Sequence, residues 1–187
     1  MSTAAQTTPG LLTAEEFARR PDPGHPEELE AGRVVPMPPP GGRHGQVCGK
    51  VCRILGNFVE EHDLGHVLSN DSGVITARGP DSVRGPDVSF YRDERLPKGP
   101  LAKGYPDVPP DRVVEVLSLD DRWPKVLAKV AEYLNAGVAA VAVLDSDEKT
   151  LHLFGGGRPR ILVESDVLTL PALLGEFRVA VGRFFEG

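Results

Sequence analysis

The chain has 187 residues, 40% hydrophobic and 26% charged, with a formal net charge of -6. That length and apolar content suit one globular domain with a substantial core. The acidic balance counts against non-specific nucleic-acid binding, which needs Lys and Arg to neutralise phosphate, although a local basic groove is still compatible with it. No apolar stretch reaches the ~20 residues of a transmembrane helix. Met1 to Gly10 lacks the basic start and apolar centre of a signal peptide, so the expected location is the cytoplasm. The only cysteines, Cys48 and Cys52, stand at helical i, i+4 spacing without a second pair to build a zinc site. They read as small buried apolar residues in a reducing compartment.

In chain order, residues 1–10 read as a disordered tail, with the domain following from 11 to 187. Thr13 and Glu16 have the N-cap and N3 spacing of a capping box, which predicts a short helix from Ala14 to Arg19. Leu29 to Met37 reads as a hairpin turning at Gly32, and the Pro38–Gly42 run then breaks regular structure. Val47, Val51, Ile54, Leu55, Phe58 and Val59 form one stripe of a long helix. Short strands are expected at His66–Ser69 and Gly73–Thr76, then Arg84–Phe90 and Arg112–Ser118, the last two separated by a long loop rich in Pro, Gly and Lys. Pro124 opens a second helix that ends before Gly137, with Val126, Leu127, Val130 and Leu134 as its buried face. Val138–Leu144 reads as a buried strand, and Leu151–Phe154 with Arg160–Val163 as a hairpin. The apolar stretch from Leu168 to Phe185 is expected to dock on the domain or on a second copy. This order gives a mixed α/β class, without the regular alternation of a doubly wound parallel sheet.

Asp87 and Glu115 each place a carboxylate inside an apolar run, and a charge in such a strand is costly unless neutralised. With Glu28 as a third acid, they suggest a hard divalent cation held by oxygen ligands. The competing reading is that each acid ends a strand or pairs with a neighbouring arginine.

Glu28-Leu29-Glu30-Ala31-Gly32, His44-Gly45, Arg84-Gly85-Pro86-Asp87-Val88, Val114-Glu115-Val116-Leu117-Ser118 and Lys129 through Gly137-Val138 occur in one order. Together they resemble the Uma2 family, formerly a domain of unknown function, of restriction-endonuclease-like proteins with the PD-(D/E)XK fold. The resemblance runs from about Leu12 to the C-terminus. It implies a mixed sheet flanked by helices in a single domain, with Glu28, Asp87 and Glu115 as ligands of Mg²⁺ or Mn²⁺. Asp87, Glu115 and Lys129 would be catalytic, and His44 would bind substrate.

The superfamily's usual lysine position, two after Glu115, holds Leu117 here, and the family pattern supplies the lysine from the next helix, as Lys129. On a helical wheel Lys129 borders the apolar stripe and could reach inward; the alternative is a solvated lysine pairing with Glu132. The segment after Glu115 departs from the family pattern, with Lys125 one turn before Lys129 where an Asp is common. Asp120 or Asp121 is a candidate replacement acid. The implied activity is Mg²⁺-dependent endonucleolytic hydrolysis of DNA phosphodiester bonds, with a homodimer expected by analogy. Two other readings stay open: a weakened nuclease-fold domain that binds nucleic acid or a protein, and a hydrolase of other phosphate esters.

Overall fold

The structure is a computed structural model that describes residues 10–118 and 121–186. The expected tail, apart from Gly10, lies outside the described residues, as does Asp120. The capping box forms: Thr13 accepts from the Glu16 amide, Glu16 accepts from the Thr13 amide, and α1 runs Ala14–Ala18. The hairpin follows as β1 (Glu27–Glu30) and β2 (Arg33–Pro36). Its tight turn holds Ala31 and Gly32 at φ 47° and 80°, the left-handed pair that a two-residue hairpin turn requires.

The long helix α2 spans Gly42–Glu61 and buries Val47, Val51, Leu55 and Val59, so the stripe read from periodicity is its core face. Then come β3 (Gly65–Ser69), β4 (Val74–Ala77), β5 (Ser82–Arg84), β6 (Val88–Arg92), β7 (Arg112–Val116), α3 (Trp123–Asn135) and β8 (Ala140–Asp145). The chain closes with β9 (Thr150–Phe154), β10 (Arg160–Leu162), β11 (Val167–Thr169), the short α4 (Pro171–Leu174), β12 (Arg178–Ala180) and a 3₁₀ turn, Val181–Phe184.

Two sheets carry the architecture. The main sheet has the order β10-β9-β8-β7-β6-β3, with β7 and β8 parallel and every other pair antiparallel. The helix α3 is the crossover that parallel neighbours need. A four-stranded antiparallel sheet, β2-β1-β5-β4, stands beside it. Alternation along β7 assigns the faces: Val114 and Val116 join α2 and the C-terminal segment, while Val113 joins Val126, Val130 and Tyr133 of α3. Val74 of β4 enters the same core under α3, which ties the smaller sheet to the larger one.

The structure changes two expectations and decides between the two alternatives of a third. The run Arg84–Phe90 is two strands rather than one, because Pro86 has no amide to donate and the chain turns from β5 in one sheet to β6 in the other. Leu127 is 45% exposed, and Tyr133 takes the buried place on α3 instead. The C-terminal segment docks on its own domain, where Leu168, Leu170, Leu174, Phe177, Val181 and Phe184 complete the core over α2.

Candidate functional site

Glu28 lies on β1 and is 4% exposed. Its neighbour Leu29 enters a small core with Ala14, Phe17 and Val83, so alternation sends Glu28 to the opposite face of the small sheet, toward α3. There the Gly85 amide donates to Glu28 Oε1 at 3.1 Å and Arg84 Nη1 donates to Oε2 at 2.8 Å. Gly85 is required by close approach, since a Cβ there would stand 2.9 Å from the Asp71 Cβ. Arg84 also grips Glu132 of α3 with two 2.7 Å bonds and contacts Glu30. Glu132 is therefore Arg84's partner, not the partner of Lys129.

Lys129 points inward. Its Nζ lies 3.0 Å from Glu28 Oε1 and 3.2 Å from Glu115 Oε1, joining an acid of the small sheet to an acid of the main one. Tyr133, one turn along α3 and on the same face, donates its hydroxyl to Glu115 Oε1 at 2.7 Å. Lys125, by contrast, is exposed.

Asp87 precedes β6 by one residue. Val88 is the register partner of Val114, so continuing the antiparallel ladder sets Asp87 opposite Glu115. Asp87 Oδ2 accepts from the Val116 amide at 2.7 Å, which anchors the carboxylate to the strand that carries Glu115. Asp87 Oδ1 faces His44 Nε2 of α2 at 3.2 Å. Cys48, one turn after His44, brings its Sγ to 3.4 Å from His44 Nδ1. One ligand atom from each of His44, Cys48 and Asp87 lies within 4.8 Å of the other two. Cys48 is thus a corrected expectation: it is half-buried against the site instead of serving only as an apolar filler.

The electrostatics follow from burial among like charges. Burial pushes the Glu115 carboxyl up to about 7, against the pull of Lys129, and negative Asp87 adds to the rise. Burial also raises Glu28, but Lys129 and Arg84 outweigh it and hold that carboxyl below its usual range. Burial and then the Asp87 charge push Asp71 up. The bond to Asp87 raises His44, against burial. Burial, then Asp87, pushes the Cys48 thiol well above its ordinary value.

Asp121 does not supply an extra acid to this group; its carboxylate accepts from the Ser118 amide at 2.7 Å in the turn before α3. Asp145 ends β8, accepting from the amides of Asp147 and Glu148. The residues whose place here sequence reasoning missed are Arg84, Tyr133 and Cys48. Two carried a signal, because Tyr133 and Cys48 each follow a candidate residue by four positions on a helix. Arg84 carried none, since its partners Glu28, Glu30 and Glu132 meet it only through the tertiary fold.

No curated protein matches the chain. Among solved structures it is similar to a crystal structure described as "a putative nuclease belonging to DUF820" from Anabaena variabilis. The TM-score is 0.80 at 20% identity, over 93% of this chain and 97% of that one, which establishes the fold. Residues 14–182 match the family Uma2, described as "Putative restriction endonuclease". With the match spanning nearly the whole described domain, the chain belongs to the Uma2 family.

Proposed function

We propose that the protein is a metal-dependent nuclease that hydrolyses DNA phosphodiester bonds at the carboxylate cluster where its main sheet meets the four-stranded one. The observation that carries this reading is the convergence of Asp87, Glu115, Glu28 and Lys129 from four separate segments onto one place. A purely structural ion pair would need one acid and one base. Here Asp87 is anchored to the strand that carries Glu115, and burial, with Asp87 adding to it, raises the Glu115 carboxyl despite the nearby Lys129.

That surplus of carboxylate fits a divalent cation. Asp87 and Glu115 offer hard oxygen donors, the type that Mg²⁺ and Mn²⁺ prefer. Each oxygen keeps lone pairs beyond the hydrogen bonds it already accepts. A cation bound there would lower the pKa of a bound water and neutralise charge on the phosphate. The chain's own groups would do the rest. Lys129 would stabilise charge developing on the phosphoryl oxygens or orient the attacking water. Tyr133 holds Glu115 in place, and the Val116 amide does the same for Asp87. Glu28 already accepts from Lys129, Arg84 and the Gly85 amide, so its part in this proposal is to orient Lys129, with metal ligation secondary. His44 would steer substrate past Asp87.

The reading takes a homodimer as the working form, because cutting both strands of a duplex takes two sites. The test is cleavage of plasmid DNA with Mg²⁺ or Mn²⁺ present, compared with Asp87→Asn, Glu115→Gln and chelator controls. Metal-dependent nicking lost in both variants supports the reading. DNA binding without cleavage would favour the weakened-nuclease alternative, for which the net charge of -6 and the departure around Lys125 speak. Cleavage of small phosphodiesters in preference to DNA would favour the third.

A further inference from the structure

We propose that His44, Cys48 and Asp87 form a second, softer metal site that takes Zn²⁺ and, when filled, withholds Asp87 from the oxygen-ligated cation. The donor set is one imidazole nitrogen, one thiol sulfur and one carboxylate oxygen, a combination suited to zinc and unsuited to Mg²⁺. The site is built by α2, where the i, i+4 spacing of His44 and Cys48 sets both side chains on one face, and by the anchored Asp87 across from them.

The distances decide the geometry. Zinc bonds of about 2.0–2.1 Å to nitrogen or oxygen and about 2.3 Å to sulfur, at tetrahedral angles, place N and O about 3.3 Å apart and N and S about 3.6 Å apart. His44 Nε2 lies 3.2 Å from Asp87 Oδ1, whereas Cys48 Sγ stands nearer Nδ1, at 3.4 Å, than Nε2, at 3.9 Å. The Asp87 oxygen already stands at the required separation from Nε2, and a rotamer change of Cys48 that carries Sγ round to the Nε2 side of the ring would complete the site. Three protein ligands leave the fourth position open to water, and the thiol proton and any imidazole proton leave to solvent as the ion binds.

The functional consequence rests on the proposed nuclease reading, because Asp87 belongs to both sites. An ion held by His44 and Cys48 would occupy the carboxylate that the oxygen-ligated cation needs. Zn²⁺ would then act as an inhibitor even with excess Mg²⁺ present. The binding itself does not depend on that reading.

The test uses Co²⁺ as a spectroscopic probe for Zn²⁺ on the full chain. Wild-type protein should show the thiolate-to-metal absorption and the visible bands of a tetrahedral ion, and one equivalent of Zn²⁺ should abolish them. Cys48→Ser should lose the thiolate absorption and bind Zn²⁺ at least about a hundredfold more weakly, whereas Cys52→Ser should keep both. Without any variant, Zn²⁺ should protect Cys48 but not Cys52 from alkylation, read by peptide mass. A wild-type spectrum lacking the thiolate band, a band retained in Cys48→Ser, or alkylation of Cys48 unaffected by Zn²⁺ would overturn the proposal. None of these readouts involves DNA cleavage, so failure here and failure of the nuclease reading are separable.

Discussion

Lys129 and Glu28 meet at 3.0 Å although one lies on the crossover helix of the main sheet and the other on a strand of the small sheet. The contact makes Lys129 both a site residue and a clasp between the two sheets.

Lys129→Ala is therefore expected to have two effects. Cleavage should fall by about 10²–10³-fold, as for loss of a group placed where charge develops. Stability should also fall, by about 1–3 kcal/mol at neutral pH, because Glu28 and Glu115 lose a shared partner in a partly buried setting. Denaturant unfolding of the variant reads the second effect. Lys125→Ala, on the exposed side of α3, should change neither by much.

Tyr133→Phe should remove the 2.7 Å hydroxyl bond to Glu115 while leaving the ring packed. Stability should drop by about 1 kcal/mol. Cleavage should drop about 10–100-fold, the usual effect of losing a group that orients a metal ligand. Metal titration of the variant should show weaker Mn²⁺ binding, whereas a purely structural tyrosine would leave that affinity alone.

Glu115 sets a pH dependence. Its folded carboxyl stands near 7 against an ordinary 4.5, so between those values the folded state holds a proton that the unfolded chain has released. Its contribution to stability is full below about 4.5 and is lost as pH rises through about 7. In metal-free protein the thermal midpoint should therefore fall over that window, less so in Glu115→Gln. Mn²⁺ affinity should run the other way, rising with pH up to about 7 as the competing proton leaves. An affinity flat from pH 5.5 to 8 would contradict the assignment.

Arg112 gives a prediction away from the site. It is 2% exposed at the start of β7, with Nε and Nη2 finding no hydrogen-bond partner among the described residues, beside a cavity lined by Val51, Leu55, Leu144, Leu168 and Phe177. An arginine keeps its proton even when burial makes that costly. Arg112→Met should therefore stabilise the protein by about 1–4 kcal/mol, the gain seen when buried charge is exchanged for apolar packing. A higher urea midpoint at unchanged slope would show it.

The sequence was most legible where local rules operate. The stripe from Val47 to Val59, the capping box at Thr13 and the turn at Gly32 are short-range patterns, and each became the element it predicted. Asp87 and Glu115 were visible because charge in apolar surroundings is unusual, and Glu28 through the family resemblance; the structure sets Glu28 and Glu115 on Lys129 and anchors Asp87 to the strand that carries Glu115. What stayed hidden depended on distant segments. Periodicity placed Leu127 inside, but the core under α3 is filled by Tyr133, whose hydroxyl has a buried carboxylate to meet. Arg84 looked like the start of a strand, and its three acidic partners come from other elements. Nothing in the local pattern around Arg112 foretold a buried guanidinium whose Nε and Nη2 find no partner among the described residues.

The most direct measurement of the central claim is anomalous diffraction from crystals soaked in Mn²⁺ at a pH above 7. The account predicts one ion bound by both Asp87 and Glu115, about 2.1 Å from an oxygen of each, with Lys129 still held by Glu28. No ion on these carboxylates, with Lys129 still closing on Glu115, would contradict it and reduce the cluster to an ion-pair network that holds the two sheets together.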